Sequence, residues 1–149
     1  MSRLWVLRRL RNMGASRATL LDVYCKQVRS VVEYAAVVWN GALTIENIAQ
    51  LERVQRSAFS VILGKQYLSY EEACRKLDMK TLAERRKNLS VKFALKASKH
   101  PVHHTWFVRT AEDQIITRTK KPTFKPACGR TERFLKSAIP YLTNLLNEH

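Results

Sequence analysis

Apolar positions recur along this chain mainly at helical spacing, and they are densest over residues 20–64. The first half of that stretch holds Val28, Val31, Val32, Tyr34, Ala35, Ala36, Val37, Val38 and Trp39, with one carboxylate, Glu33, among them. After Asn40-Gly41-Ala42-Leu43 a second run sets Ile48, Leu51, Val54, Ala58, Phe59 and Ile62 at helical spacing and stops at Gly64. The β-branched density near Val31 and Val37 would suit a strand, but residues 18–39 hold no breaker and are too long for one. The pattern predicts two long helices whose short connection makes them antiparallel neighbours. The first is apolar nearly all round, so it is expected to be buried on several sides.

The other elements read as cover for that hairpin. Leu4, Leu7 and Leu10, with Trp5 nearby, form one face of a short helix ended by Gly14, and Ser16 is placed to cap the next helix. Ser69 with Glu72, and Thr81 with Glu84, are capping-box patterns. They open a short helix to Leu77 and a longer one to about Lys99, where Pro101 prevents continuation. On the longer helix Leu82, Leu89, Phe93 and Ala97 make the expected apolar stripe. Residues 102–131 lose the pattern at Pro122, Pro126 and Gly129, and an irregular segment anchored by Trp106 and Phe107 is expected there. A last helix starts near Glu132 with Phe134, Ile139, Tyr141, Leu142, Leu145 and Leu146 on its apolar side, kinked or divided by Pro140. The expected fold is all-α: an antiparallel helical hairpin or bundle over residues 1–101, an irregular basic segment over 102–131, and a C-terminal helix over 132–149 packing on the bundle.

Charge adds a function class. The 149 residues carry 27 Lys and Arg against 12 Asp and Glu, a formal net charge of +15, which attracts polyanions, nucleic acid above all. The excess is +5 over residues 1–79 and +11 over residues 80–136, so a phosphate-binding face is expected mainly in the second half. The candidates are Arg85, Arg86, Lys87, Lys92, Lys96 and Lys99 on the long helix, with Arg118, Lys120 and Lys121 beyond it. Trp5, Trp39, Phe93, Trp106 and Phe107 are interleaved with basic residues, which suits backbone tracking with occasional base stacking. The plainer alternative is a basic domain with no specific ligand.

Catalytic patterns are missing. Four glycines build no phosphate-cradling loop, and no adjacent aspartates could hold two metal ions. His100, His103 and His104 lack the spacing or thiolate partners of a zinc site, and nothing in the sequence sets a histidine beside Cys128 as a thiol nucleophile. Glu33 needs a partner in its apolar setting: the facing helix offers Arg53 and Arg56, and Tyr24 and Tyr67 are other donors. Glu33 with Arg53 is the candidate structural pair; no second titrating group accompanies Glu33 as a general base requires. No metal, cofactor or small-molecule substrate is expected. Cys25, Cys74 and Cys128 are scattered and odd in number, which suits reduced thiols inside a cell, nuclear or cytoplasmic. Basic residues interrupt every apolar run, so no membrane span is expected.

Taken in order, several signatures resemble the C-terminal portion of the reverse transcriptase of Jockey-like non-LTR retrotransposons. They are Arg3-Leu4-Trp5-Val6-Leu7-Arg8-Arg9-Leu10, Gly14, Tyr24 with Val28-Arg29, Glu33-Tyr34-Ala35 with Val38-Trp39, and Leu51-Glu52-Arg53-Val54-Gln55. Ser69-Tyr70-Glu71-Glu72-Ala73, Leu82-Ala83-Glu84-Arg85-Arg86, Phe93-Ala94 and Phe134-Leu135-Lys136-Ser137-Ala138-Ile139-Pro140 follow. The resemblance implies the thumb and post-thumb part of an RNA-directed DNA polymerase, a helical unit that helps hold template-primer RNA or DNA and is no enzyme alone. The fingers and palm, with their Asp-Asp motif, would precede it, and Met1 would be an internal methionine or the start of a truncated copy. Because the resemblance begins at Arg3, it also argues against a mitochondrial presequence, which the Arg-rich, acid-free residues before Asp22 would otherwise suggest. The alternative is a standalone helical protein-interaction module without nucleic-acid function.

Overall fold

The computed structural model describes residues 2–110 and 123–148. Among them the fold is all-α, and one isolated antiparallel bridge joins Arg109 to Phe124. In chain order the helices are α1 (Ser2–Asn12), α2 (Arg17–Val23), α3 (Ser30–Val32), α4 (Ala36–Trp39), α5 (Ile45–Leu63), α6 (Tyr70–Lys76), α7 (Leu82–Lys99), α8 (Glu132–Leu135) and α9 (Ala138–Glu148). A π-helical segment, Tyr24–Arg29, joins α2 to α3. The chain divides into two compact units, Met1–Tyr34 with Thr44–Arg85 and Ala35–Leu43 with Arg86–His149.

The long first helix of the expected hairpin is not continuous. It stops at Val32, and Ala35 takes the left-handed conformation (φ 50°, ψ 27°) before α4 begins. A left-handed alanine costs about 1–2 kcal/mol, and a single such residue redirects the chain. Leu20, Tyr24 and Val28 thereby join the first core, while Val37 packs against the second and Ala36 is buried. Nor is the stretch buried all round, since Val31, Tyr34 and Val38 are exposed. The break also leaves Glu33 within reach of α7. Its carboxylate accepts from Arg85 Nε at 2.6 Å and Nη2 at 3.1 Å, with Arg29 Nε 3.8 Å away. Arg85 and Arg29 are thus its partners in place of Arg53, whose side chain is exposed.

The first core gathers Leu4 and Leu7 of α1, Leu20, Tyr24 and Val28, then Ala58, Phe59, Ile62 and Leu63 of α5, and Ala73 and Leu77. Cys25 and Cys74 pack at its edge as free thiols. Local signals set most element ends. Ser16 Oγ accepts from Thr19 N at 3.1 Å, Ser69 Oγ from Glu72 N at 3.2 Å, and Thr81 Oγ1 from Glu84 N at 3.2 Å. Each removes one orphan donor from a first turn. Glu72 and Glu84 turn away from their caps to Lys76 and Lys80, so neither capping box closes through its glutamate.

Two polar residues of α5 lie inside this unit. Gln55 is fully buried; its Oε1 accepts from Tyr24 Oη at 2.7 Å and its Nε2 donates to the Lys80 carbonyl at 3.0 Å. Glu52 accepts from the backbone N–H of Ala83 at 2.6 Å and of Leu82 at 3.4 Å, and from the Tyr70 hydroxyl. With Thr81 serving Glu84, the donors of the first turn of α7 are all occupied. A carboxylate at a helix N-terminus also meets the positive end of its dipole.

The second core is built from Ala94, Ala97, Phe107, Phe124, Leu142, Leu145 and Leu146. Phe107 is a buried anchor, as expected, whereas Trp106 remains 40% exposed. The Asn147 side chain clasps the Phe124 backbone, accepting from its N–H and donating to its carbonyl at 2.9 Å each. The last helical stretch divides at Lys136 and Ser137, ahead of Pro140, which sits in the first turn of α9 where its missing N–H costs nothing. Phe134 and Ile139, expected on the apolar side, are exposed.

Replacing Glu52 with alanine should destabilise the chain by about 3 kcal/mol, because two backbone donors and a phenol lose a charged acceptor. Urea unfolding measures this; a loss below about 1 kcal/mol would show that α7 starts without that carboxylate. A second expectation concerns alkaline pH. Burial raises the phenol of Tyr24 above its ordinary value of 10.0, and burial with the Glu52 hydrogen bond does so for Tyr70. The folded state then keeps protons that an unfolded chain would release. That stabilisation is complete below about pH 10 and is lost as pH rises through the folded values. In a tyrosinate absorbance titration of the five tyrosines, Tyr24 and Tyr70 should ionise last, together with loss of helical circular dichroism.

Candidate nucleic-acid interface

Helix α7 carries most of the basic candidates, and its burial pattern decides which can meet a ligand. Leu82 is buried in the first unit, and Arg86, Ser90, Ala94 and Ala97 are buried in the second. Leu89 and Phe93, expected in the apolar stripe, are instead 36% and 40% exposed. The interior face advances in steps of three and four residues, as a helix requires, but a guanidinium and a hydroxyl take the places that hydrophobicity assigned elsewhere.

Arg86 is 1% exposed. Its Nε donates to Asn40 Oδ1 at 3.1 Å, and its guanidinium lies 5.9 Å from the centre of the Trp39 ring. Asn40 in turn donates to the Tyr141 hydroxyl at 2.8 Å. Gly41 permits this approach: a Cβ there would lie 2.7 Å from Tyr141 and 2.9 Å from the Lys136 carbonyl. Arg85 is committed to Glu33, whose hydrogen bonds raise the guanidinium pKa further. Of these two arginines that the sequence nominated for a phosphate-binding face, Arg86 lies in the interior and Arg85, part-buried, is paired with Glu33.

Four lysines remain. Lys87 reaches Glu148 at 3.3 Å, but both side chains are more than half exposed, so the pair is weak. Lys92, Lys96 and Lys99 are exposed and form no ion pair among the described residues. Spaced by four and three residues, they share one helix face. Arg118, Lys120 and Lys121 lie outside the described residues.

Beside Lys96 the structure adds a feature that the sequence reading missed. The His100 and His103 rings stack with centroids 4.5 Å apart and planes at 21°, and Trp106 continues the column 4.4 Å from His103 at 33°. The spacing of three residues was a signal of this in the sequence, but only the turn after Lys99 brings the rings together. Phe93, Lys96, Ala97, His100 and His103 line a small cavity of about 270 Å³. Among the described residues no three His, Cys, Asp or Glu side chains are arranged to hold a metal ion, and no helix is long and apolar enough to cross a membrane. The arrangement offers point charges along one helix face and flat rings at its end, which suits an anionic polymer with unpaired bases.

No protein-family model, curated protein or solved structure matches the chain.

The burial of Arg86 makes a direct expectation. Arg86→Glu should cost about 3–5 kcal/mol, since it leaves an unmatched charge in the interior, whereas Arg86→Met of similar volume should be far milder. Thermal melts and the near-ultraviolet signal of Trp39 report both. A well-folded Arg86→Glu protein would show that the guanidinium is not an interior group.

Proposed function

We propose that this chain is a non-catalytic, helical nucleic-acid-binding protein that holds RNA or DNA through Lys92, Lys96 and Lys99. The observation that carries this is their unpaired, one-sided exposure on α7 of a chain with net charge +15. The aromatic column beside them supports contact with single strands, where stacking tolerates any sequence. On the resemblance, this reading corresponds to the thumb and post-thumb part of a Jockey-like reverse transcriptase, acting beside preceding polymerase domains that carry the chemistry. The exposed apolar side chains Val31, Tyr34 and Ile45 of the first unit favour a second reading, a helical module docking on a protein partner.

Salt dependence separates the two readings. Affinity for a short single-stranded RNA should fall steeply with salt, with a logarithmic slope of about 0.7 for each phosphate contact. The triple variant Lys92→Ala, Lys96→Ala, Lys99→Ala should make that slope shallower by about 2 while the helical spectrum stays unchanged. Binding that ignores salt, or survives the triple variant at full strength, overturns the assignment.

A further inference from the structure

The first unit holds a second basic concavity, and the sequence reading assigned nothing to it. Arg8 and Arg11 of α1 and Arg56, Ser57, Ser60 and Val61 of α5, with Tyr67, line an open cavity of about 440 Å³. Arg8 and Arg11, three residues apart, share one face of α1; Arg56 and Ser60, four apart, share one face of α5. Three guanidiniums, two aliphatic hydroxyls and a phenol therefore converge, and among the described residues that line the cavity there is no carboxylate. Like charges gathered this way repel one another unless an anion neutralises them.

Two of the three guanidiniums are positioned from behind. Arg11 Nη1 donates to the Val61 carbonyl at 2.8 Å, near the C-terminus of α5. Gly64, with φ 56°, makes the room: a Cβ there would come within 1.9 Å of Arg11 Nη2. Arg56 lies over the Tyr70 ring, 5.0 Å from its centre, and Tyr70 is tied to Glu52. A guanidinium has five N–H donors in a planar fork, so one bond to a carbonyl leaves it able to grip a phosphate. Pre-positioning lowers the entropic cost of doing so.

We infer that this cradle binds the phosphate groups of a nucleic-acid backbone, as a site separate from the lysine face. The identity of the polymer rests on the nucleic-acid reading above; the anion chemistry rests on the cradle itself. The cavity is open and wider than one phosphate needs, which suits a continuing chain of phosphodiesters.

The test uses the full chain and a double variant, Arg8→Gln with Arg56→Gln. Both side chains are exposed, and Arg11 is left in place because it holds Val61. For a short single-stranded oligonucleotide at low salt, the double variant should bind about tenfold more weakly, and its salt slope should be shallower by about 1.4. The arginine Nε resonances of Arg8, Arg11 and Arg56 should shift with the oligonucleotide in the lysine triple variant as in the parent. If the double variant binds like the parent while the lysine variant fails, this inference falls and the lysine assignment stands. The reverse result keeps the cradle and removes the lysine face. If no oligonucleotide binds at all, both fall. Separate titrations with inorganic phosphate and with phosphatidylserine vesicles complete the test. Arginine shifts as strong with either, and weaker with the oligonucleotide, would make this a free-anion or membrane-surface site and overturn the inference.

Discussion

The arrangement of the first unit depends on one carboxylate inside it. Glu52 occupies the N-terminus of α7, where Leu82 and Ala83 present N–H groups that a helix cannot satisfy itself. A carboxylate in such a place is costly if its oxygens lack donors, and here the Tyr70 hydroxyl completes its set. Gln55, one turn further along α5, ties the Tyr24 hydroxyl and the Lys80 carbonyl into the same interior. These directional bonds fix where α7 starts, which apolar packing of Phe59 and its neighbours would leave free. Arg85, the first basic side chain of α7, inherits its angular position from that start.

The neighbouring arginines Arg85 and Arg86 show how much that position matters. A helix turns by about 100° per residue, so adjacent identical side chains face different surroundings. Arg85 meets Glu33, and Arg86 is buried in the second unit beside Asn40 and Trp39. The basic side chains exposed on this helix are consequently lysines. Lysine is a flexible point charge without a preferred geometry, whereas a positioned arginine fork selects phosphate directionally. The two units thus carry different basic features: a lysine stripe in one, and guanidiniums from α1 and α5 lining a cavity in the other.

Much of the secondary structure was legible from local chemistry. Ser16, Ser69 and Thr81 cap where their hydroxyls can accept from a first-turn amide; Gly64 ends α5; and the Leu4, Leu7 and Leu10 face packs as its spacing requires. These signals act over a few residues, within the reach of a sequence pattern. The lysine face was legible as a cluster of charge, but its membership was not. Assigning Arg86 and Ser90 to the interior needs Asn40 and the packing around Ala94, far away in sequence.

By itself, then, the sequence determined that the chain is helical, where most helices begin, and that it carries a large positive charge. Tertiary structure alone decided that Ala35 would turn left-handed, that Glu33 would pair with Arg85, and that Arg8, Arg11 and Arg56 would meet around one cavity. The physical reason is the range of the interactions. Capping and periodicity are settled within a turn or two of helix, whereas burial of a charge is settled by whichever distant donors or acceptors packing brings to it.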